Sequence, residues 1–246
     1  MRRLPIKRFP VLVAAVVAVS CVPAPAAAAP APFPRGRLAV SSCPEPPISS
    51  GGIPRTREYL QAVMKCLNKS WKAYVSRGKR AYRAPVVRYH EEPPATVCGV
   101  PWPERAAAVY CPARRTLDFP LPGSEFASRT DLYLFKVAAH EYGHHVQRLL
   151  GIRHPYETRP GHQELGLRYE LQADCLAGVF VGSVWRSLKR GRADWEALVD
   201  LTRAGGDGEY RSHGTGASRV RWLTRGYRTV SPAACDTWSA PAAEVA

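Results

Sequence analysis

The motif His140-Glu141-Tyr142-Gly143-His144, of the form HExxH, lies in the middle of the chain. An α-helix turns once in about 3.6 residues, so His140 and His144 lie one turn apart on one face and both imidazoles can bind one ion. Glu141 lies beside the first histidine, where it can take a proton from water without binding the ion itself. Apolar residues on both sides favour a buried helix. The motif therefore predicts a catalytic zinc site.

A catalytic zinc site needs a third protein ligand, and the sequence offers a candidate downstream. The metzincin pattern would need glycine at 147 and histidine at 150, but the chain has Gln147 and Leu150, and an HxxEH motif does not occur. Glu170 and Asp174 lie four residues apart in a second helical stretch, residues 165–181, and share a helix face. We expect Glu170 to bind zinc and Asp174 to accept a hydrogen bond from a ligating imidazole. The alternative, a solvated pair of carboxylates, is disfavoured by the apolar residues around them.

Three further segments extend this pattern: RYELQADCLAGVF at 168–180, SHGTGASRVRWLTRGY at 212–227, and Cys235-Asp236-Thr237. Together with HEYGHHVQ at 140–147 they resemble the bacterial putative neutral zinc metallopeptidase family, over residues 96–238. The spacing of the two carboxylates also resembles the gluzincin pattern of thermolysin-like peptidases. The resemblance implies a zincin-like α+β fold, with a small mixed sheet before the HExxH helix and a helical carboxyl-terminal half. It also implies peptide hydrolysis with one zinc ion per chain.

His213 is flanked by glycines in the segment at 212–227. We interpret it as the catalytic donor that stabilises negative charge developing on the substrate carbonyl oxygen. A loop hydrogen bond without a catalytic role is the alternative. His145 points about 100° away from His144 around the helix, so we expect a structural contact there. Tyr142, Tyr169 and Tyr210 are the alternatives to His213 as the catalytic donor.

The first 29 residues have the three-part organisation of a secretory signal peptide. Four basic residues precede an apolar run from residue 11 to residue 22, and we expect cleavage near Ala28 or Ala29. An apolar run of about twelve residues is too short for a transmembrane helix. We therefore expect a secreted, extracellular protein. The alternative is a lipid anchor at Cys21, which lies in a weak lipobox-like sequence.

Six cysteines remain when the leader is removed, and an even number in an exported chain is typical of disulfide bonds. No two of them have the CxxC spacing of a zinc module. Sequence alone leaves fifteen possible connectivities. The preferred pairing is Cys43–Cys66, Cys98–Cys111 and Cys175–Cys235, of which the last would tie the carboxyl end to the helix of Glu170.

The chain is strongly basic, with a formal net charge of +15 that falls to +11 without the four basic residues of the leader (15 − 4). Such a charge favours acidic substrates or anionic cell-wall polymers as partners. Nucleic acid is not expected, because the chain has no base-reading motif and is exported. A solvated basic surface without a specific partner is the alternative.

The remaining sequence predicts one domain at residues 54–240, preceded by a linker or irregular arm at 30–53 that is rich in proline, serine and glycine. We expect helices at 54–76, 194–204 and 217–227, and strands at 85–89, 107–110 and 116–119. An edge strand over a zincin cleft can pair with extended substrate, and residues 117–119 or the neighbouring strand are candidates for this role.

These features together predict a secreted zinc-dependent endopeptidase that hydrolyses peptide bonds with a water molecule activated by zinc. Two other classes stay open. One is an exported, wall-associated zinc-binding module without turnover, and the other is a zinc amidase acting on peptidoglycan peptides. Glu141 argues against the binding module, since a structural zinc site has no use for a proton-accepting carboxylate beside a ligand.

Overall fold

The computed structural model describes residues 33–44, 46, 52–104, 106–121, 131–153, 162–206 and 212–245. The expected signal peptide, Cys21 and the rival donor Tyr210 lie outside these residues. Within them the chain forms five α-helices and five strands. The helices are α1 (Gly52–Arg77), α2 (Asp131–Leu149), α3 (His162–Leu188), α4 (Arg192–Ala204) and α5 (Gly216–Thr229). The strands are β1 (Val86–His90), β2 (Thr96–Val97), β3 (Val100–Pro101), β4 (Val109–Cys111) and β5 (Thr116–Pro120).

A three-stranded mixed sheet precedes α2 along the chain. Its order is β1-β5-β4, with β1 parallel to β5 and β4 antiparallel to β5. A separate antiparallel hairpin, which the sequence did not predict, pairs β2 with β3. Two short 3-10 helices, Pro232–Cys235 and Ala242–Glu244, follow α5. The small mixed sheet followed by a helical second half confirms the expected α+β class.

The position of β5 corrects the first candidate for the substrate-binding strand. All five residues of β5 are buried, and the strand lies between β1 and β4, so residues 117–119 cannot pair with substrate. Asp118 tolerates this burial because its Oδ1 lies 2.8 Å from His90 Nε2 on the neighbouring strand. The edge strand next to β5 that contacts α2 is β4. The alternative candidate, the neighbouring strand, therefore has the suitable position.

Two glycines allow the helices of the second half to touch backbone to backbone. A Cβ atom at Gly226 of α5 would lie only 2.0 Å from the carbonyl oxygen of Cys175 in α3. A Cβ atom at Gly143 of α2 would lie 3.1 Å from the carbonyl oxygen of Ala173 in α3. A side chain at Gly226 would push α5 away from α3, whereas one at Gly143 would require a small shift of Ala173. The second contact brings the motif histidines of α2 against the carboxylates of α3.

Helix α1 packs against α2 and supplies a large part of the core. The phenolic hydroxyl of Tyr59 in α1 donates to the carbonyl oxygen of Asp131, the first residue of α2, at 2.9 Å. Burial of large apolar side chains contributes about 1.5–3 kcal/mol each. The buried side chains of α1 recur at the helical spacing expected from the sequence: Tyr59, Leu60, Val63, Met64, Leu67, Trp71, Tyr74 and Val75.

Residues 33–44 form an irregular arm that packs on the helices. Leu38 is buried, and its N–H donates to the carbonyl oxygen of Val230 at the end of α5, at 2.8 Å. The N–H of Ser41 donates to the carbonyl oxygen of Ser183 in α3, at 3.2 Å. The division of the chain into leader, arm and single domain stays a prediction. None of the described helices is long and apolar enough to cross a membrane.

Three cysteine pairs lie at disulfide distance, with Cα–Cα separations of 5.4–5.6 Å. The first attaches the arm to α1, the second attaches the β2–β3 turn to β4, and the third attaches α3 to the first 3-10 helix. They are the pairs that we preferred from the sequence: Cys43–Cys66, Cys98–Cys111 and Cys175–Cys235. Such pairs are compatible with an oxidising compartment.

Candidate metal centre

Helices α2 and α3 bring the three expected ligands to one point. Glu170 Oε2 lies 3.3 Å from His140 Nε2 and 3.2 Å from His144 Nε2. The two imidazole planes are nearly perpendicular, at 88°, with their centroids 4.9 Å apart. The i, i+4 spacing on α2 therefore places both rings on the face that meets α3.

The loop before α5 adds a fourth polar group at the same point. His213 Nε2 lies 3.3 Å from Glu170 Oε2, as close as the motif histidines. The ligand atoms of His140, Glu170 and His213 all lie within 4.8 Å of one another. Ser212 Oγ hydrogen-bonds to His213 Nδ1 at 2.8 Å, so Nε2 is the nitrogen directed inward. The sequence predicted a catalytic role for His213, and the geometry also makes it a candidate ligand.

The atoms at this point fit a zinc ion. His140 Nε2 and Glu170 Oε2 are buried and make no hydrogen bond with any described residue. Two atoms that are each about 2.0 Å from a tetrahedral zinc ion are about 3.3 Å apart. The separations between Glu170 Oε2 and the imidazole nitrogens, 3.2–3.3 Å, agree with that value. Imidazole nitrogen and carboxylate oxygen are also the donors that zinc takes in catalytic sites.

Hydrogen bonds fix which nitrogen of each motif histidine faces this point. His140 Nδ1 donates to Asp174 Oδ1 at 2.9 Å, and His144 Nδ1 donates to Gln147 Oε1 at 2.8 Å. Each Nδ1 therefore carries a proton, and each Nε2 is the nitrogen that faces Glu170. Such partners orient a ligating histidine and increase its basicity.

Gln147 belongs to a buried amide network that extends this support. Its Nε2 donates to the carbonyl oxygen of Tyr169 at 2.7 Å and to Gln172 Oε1 at 3.1 Å. Gln172 in turn donates to the carbonyl oxygen of Cys235 at 2.9 Å. The Tyr169 ring stacks on His144, with the centroids 4.7 Å apart and the planes at 12°. The residue that excluded the metzincin pattern thus holds the second motif histidine in place.

Charge at the site favours a cation. Burial alone would lower the pKa of His144, but the Glu170 and Glu141 carboxylates and the Gln147 hydrogen bond raise it to about 9. Burial alone would raise the pKa of Glu170, but the His144 and His213 imidazoles hold it well below its usual range. Glu170 therefore stays ionised and attracts positive charge to the point where the nitrogens meet.

Asp174 is fully buried and lies among positive groups from two helices. Its carboxylate accepts from His140 Nδ1, from Lys136 Nζ at 2.5 Å and from Arg219 Nε at 2.8 Å. Burial would raise the pKa of Asp174, but the Arg219 and Lys136 charges hold it well below its usual range. Burial lowers the pKa of Lys136, against the opposing influence of Asp174. An ionised Asp174 can therefore orient His140 as the sequence predicted.

Glu141 lies on the same helix beside these ligands, and only 9% of it is exposed. The backbone N–H of Tyr110 in β4 donates to its carboxylate. Burial raises the pKa of Glu141 above its usual range, against the lowering effect of His140 and His144. A raised pKa suits a carboxylate that has to take a proton and return it near neutral pH.

The other candidates from the sequence differ in where they lie relative to the metal centre. His145 is fully buried, accepts from the Tyr110 hydroxyl at 2.9 Å and donates to the carbonyl oxygen of Arg83 at 2.7 Å, so it has the structural contacts expected. The Tyr142 hydroxyl hydrogen-bonds with Tyr82 and Asn68 at 2.7 Å each, on the α1 side of α2, which argues against it as a donor at the metal centre. Tyr169, by contrast, lies at the metal centre, where its ring stacks on His144.

Sequence reasoning missed two residues that contact Asp174. Lys136 lies one turn before His140, and a lysine on an otherwise apolar helix face was the available signal. Arg219 is 45 residues away from Asp174 in the chain, and no local pattern indicated this contact.

The chain is similar in sequence to proteins of Mycobacterium and Escherichia. The uncharacterized proteins Rv2575 of Mycobacterium tuberculosis and Mb2605 of Mycobacterium bovis are each 34% identical over 191 residues, which is 65% of this chain and 64% of theirs. The uncharacterized protein YpfJ of Escherichia coli is 27% identical over 204 residues, 74% of this chain and 71% of its own. The chain thus spans about 64% of the length of the mycobacterial relatives that it matches. No solved structure matches it.

The family described as putative neutral zinc metallopeptidase matches residues 50–238, which include every described residue of the metal centre and its supports. This match agrees with the resemblance that the HExxH helix and the later segments carried. The family's description implies zinc as the cofactor. The chain is a member of the putative neutral zinc metallopeptidase family.

Proposed function

We propose that this protein is a secreted zinc-dependent endopeptidase. The observation that supports the proposal best is the placement of Glu141, a buried carboxylate of raised pKa, beside two imidazoles that face an ionised carboxylate. A site that only stores or structures a metal does not need this extra group.

His140, His144 and Glu170 would hold one zinc ion in each chain. When bound, zinc lowers the pKa of water toward neutrality and polarises a carbonyl group. Asp174 and Gln147 keep the Nδ1 protons of the histidines directed away from the ion. The protein therefore maintains a fixed set of donors before any substrate arrives.

Glu141 would act as the general base and then as the general acid. Its carboxylate takes a proton from water and returns that proton to the leaving amine, for which its raised pKa is suited. His213 Nε2 would stabilise the negative charge that develops on the carbonyl oxygen. Extended substrate would pair with β4, which has no strand on its outer edge in the described part of the chain.

Export is part of the proposal. Its support is the three cysteine pairs at disulfide distance, together with the leader-like residues 1–29 of the sequence. Peptide mapping of the secreted chain under non-reducing conditions would reveal both the disulfide pairs and the new amino terminus. A start after Ala28 or Ala29 would support an ordinary leader, whereas a start at a lipidated Cys21 would replace it with an anchor.

The position of His213 favours one alternative, a zinc-binding module without turnover. With His213 as a ligand, four protein donors would surround the ion, and four-coordinate closed sites are typical of structural zinc. Zinc competition with a chromophoric chelator separates the two roles. A His213→Ala change that weakens zinc binding as much as His144→Ala would support the closed site, and unchanged zinc affinity with reduced kcat would support the donor.

The decisive experiment compares the zinc-loaded protein with its Glu141→Gln form on a diverse peptide mixture. New termini are identified by mass spectrometry. Because glutamine cannot accept the proton, we expect the Glu141→Gln form to lose at least about a hundredfold in kcat/KM, the lower end of general-base effects. Equal zinc content in the two proteins is the control. Cleavage that persists in the Glu141→Gln form, or no cleavage by either protein, would reject the endopeptidase.

A further inference from the structure

A cavity of about 560 Å³ opens beside the metal centre, and four of the described residues that line it are arginines. We propose that this cavity, which we call the arginine cavity, binds a carboxylate of the substrate close to the scissile bond. The inference rests on the proposed peptidase and specifies its substrate class, peptides with an acidic group near the cleavage site. The four side chains are Arg83, Arg115, Arg148 and Arg153.

The arginine cavity adjoins the metal centre through two residues. Tyr169 lines the cavity, and its ring stacks on His144 with the centroids 4.7 Å apart. Arg148 lies one turn after His144 on α2, so the helix face that carries the motif histidines leads to the cavity. An extended peptide advances about 3.3 Å per residue, so we assign the group in the cavity to one of about three residues on either side of the scissile bond.

Charge in the arginine cavity is unbalanced. Among the described residues that line it, none is an aspartate or a glutamate. Within the described ranges, none of its four arginines has a carboxylate within ion-pair distance, whereas Arg168, Arg190 and Arg219 each do. Four guanidinium groups around one space repel each other, and an anion between them relieves that repulsion. The lining therefore favours the entry of a negative group.

The shape of the cavity favours a single acidic side chain or chain end over a polymer. Its volume lies within the range of pockets that hold small molecules. Apolar side chains, those of Leu149 and Ile152 among them, complete its walls, and apolar walls concentrate the field of the arginines. A guanidinium group binds a carboxylate with two parallel hydrogen bonds. A polymer with many charges would need a basic groove along its length, not one concave site.

The test uses matched peptides built on a sequence that the protein cleaves. Each series carries Glu, Gln or Lys at one of the three positions on either side of the scissile bond, with the carboxyl terminus amidated. A second series has a free carboxyl terminus within the same distance, which distinguishes a side-chain carboxylate from a terminal one. We expect Glu, or the free terminus, to increase kcat/KM about tenfold over its neutral counterpart at one position.

Substitutions assign the preference to the arginine cavity. Arg148→Ala should reduce the Glu-to-Gln ratio of kcat/KM several-fold, and the double change Arg83→Glu with Arg148→Glu should bring the ratio to about one or below. Both side chains are exposed, so the fold should persist, and circular dichroism checks this. Arg221→Ala is the matched control, because Arg221 is an exposed arginine of α5 that does not line the cavity. It should leave the ratio unchanged.

Binding supplies a readout without turnover. Fluorescence anisotropy with the zinc-loaded Glu141→Gln form should show tighter binding of the Glu peptide than of the Gln peptide, and Arg148→Ala should remove the difference. Charge-dependent binding without cleavage by the unmodified protein would reject the peptidase and retain the cavity as a carboxylate site. Cleavage with equal rates for Glu, Gln and free-terminus peptides would retain the peptidase and overturn the inference. Arg148-dependent binding of inorganic polyphosphate with equal binding of the peptides would also overturn it.

Discussion

Lys136 and Arg148 lie on the same helix, one turn before and one turn after the motif histidines, yet their surroundings are opposite. Lys136 is 3% exposed, and its Nζ lies 2.5 Å from the buried carboxylate of Asp174. Arg148 is exposed and lies in the arginine cavity. In the described part of the chain it has no carboxylate partner. Helix α2 therefore carries a buried, ion-paired cation before the motif histidines and an exposed cation after them.

The difference follows from the cost of burying charge. A buried cation without a partner costs several kcal/mol, and Lys136 and Arg219 both pair with the buried Asp174 carboxylate. The exposed arginines remain hydrated and cost little until a ligand displaces the water. The buried cations thus fix Asp174, which orients His140. The exposed Arg148 can instead bind a ligand in the arginine cavity, as we propose.

The largest effect should come from removal of the carboxylate at the buried end. Asp174→Asn keeps the size of the side chain but removes the carboxylate that pairs with both Lys136 and Arg219. We expect the free energy of unfolding to fall by about 3–5 kcal/mol in urea titrations. Zinc affinity should fall by about 10–100-fold, because the acceptor of the His140 Nδ1 hydrogen bond loses its negative charge. Asp200→Asn, at an exposed position of α4, is the control, and an equal loss in both variants would contradict the assignment.

The second-largest loss of stability should come from removal of a cysteine pair near one or the other end of α2. Cys175–Cys235 lies beside Asp174 and closes 60 residues, whereas Cys98–Cys111 supports β4 near the arginine cavity and closes 13. Because a longer closed loop restricts the unfolded chain more, replacing the first pair by alanine should cost about 4 kcal/mol and the second about 3 kcal/mol. Thermal and urea unfolding measure both.

The functional consequences of these two changes should differ. Loss of Cys175–Cys235 should weaken zinc binding, since Gln172 of the amide network donates to the carbonyl oxygen of Cys235. Loss of Cys98–Cys111 should reduce the preference for acidic peptides and leave zinc binding intact. The reverse pattern would show that the two ends are not separate in function.

The sequence indicated the parts of the site that depend on local spacing. The HExxH motif and the Glu170–Asp174 pair each have members four residues apart on one helix, so their shared faces follow from helix geometry alone. Gln147 could have been recognised in the same way, because it lies three residues after His144, but it served only to exclude another pattern. Its hydrogen bond to His144 Nδ1 is a local contact of the same kind.

The parts that the sequence did not indicate depend on contacts across the chain. Arg219 contacts Asp174 from 45 residues away. Strand β5 is central because it pairs with both β1 and β4. A polar residue such as Asp118 is more typical of an exposed edge strand, yet here it is buried. The arginine cavity collects side chains from separate segments, among them Arg83 and Arg148. Periodicity describes one element at a time and does not contain such relations.

The smallest effect in this comparison is also the most direct test of it. Lys136→Met and Arg148→Met make the same change at the two ends of α2, with a good helix former of similar length. Lys136→Met should lower the free energy of unfolding by about 1.5–3 kcal/mol, because Asp174 loses one charged partner but keeps Arg219 and His140. Arg148→Met should change it by no more than about 0.5 kcal/mol. Urea titrations at one zinc concentration measure both, and equal effects would show that burial and pairing do not distinguish the two charges.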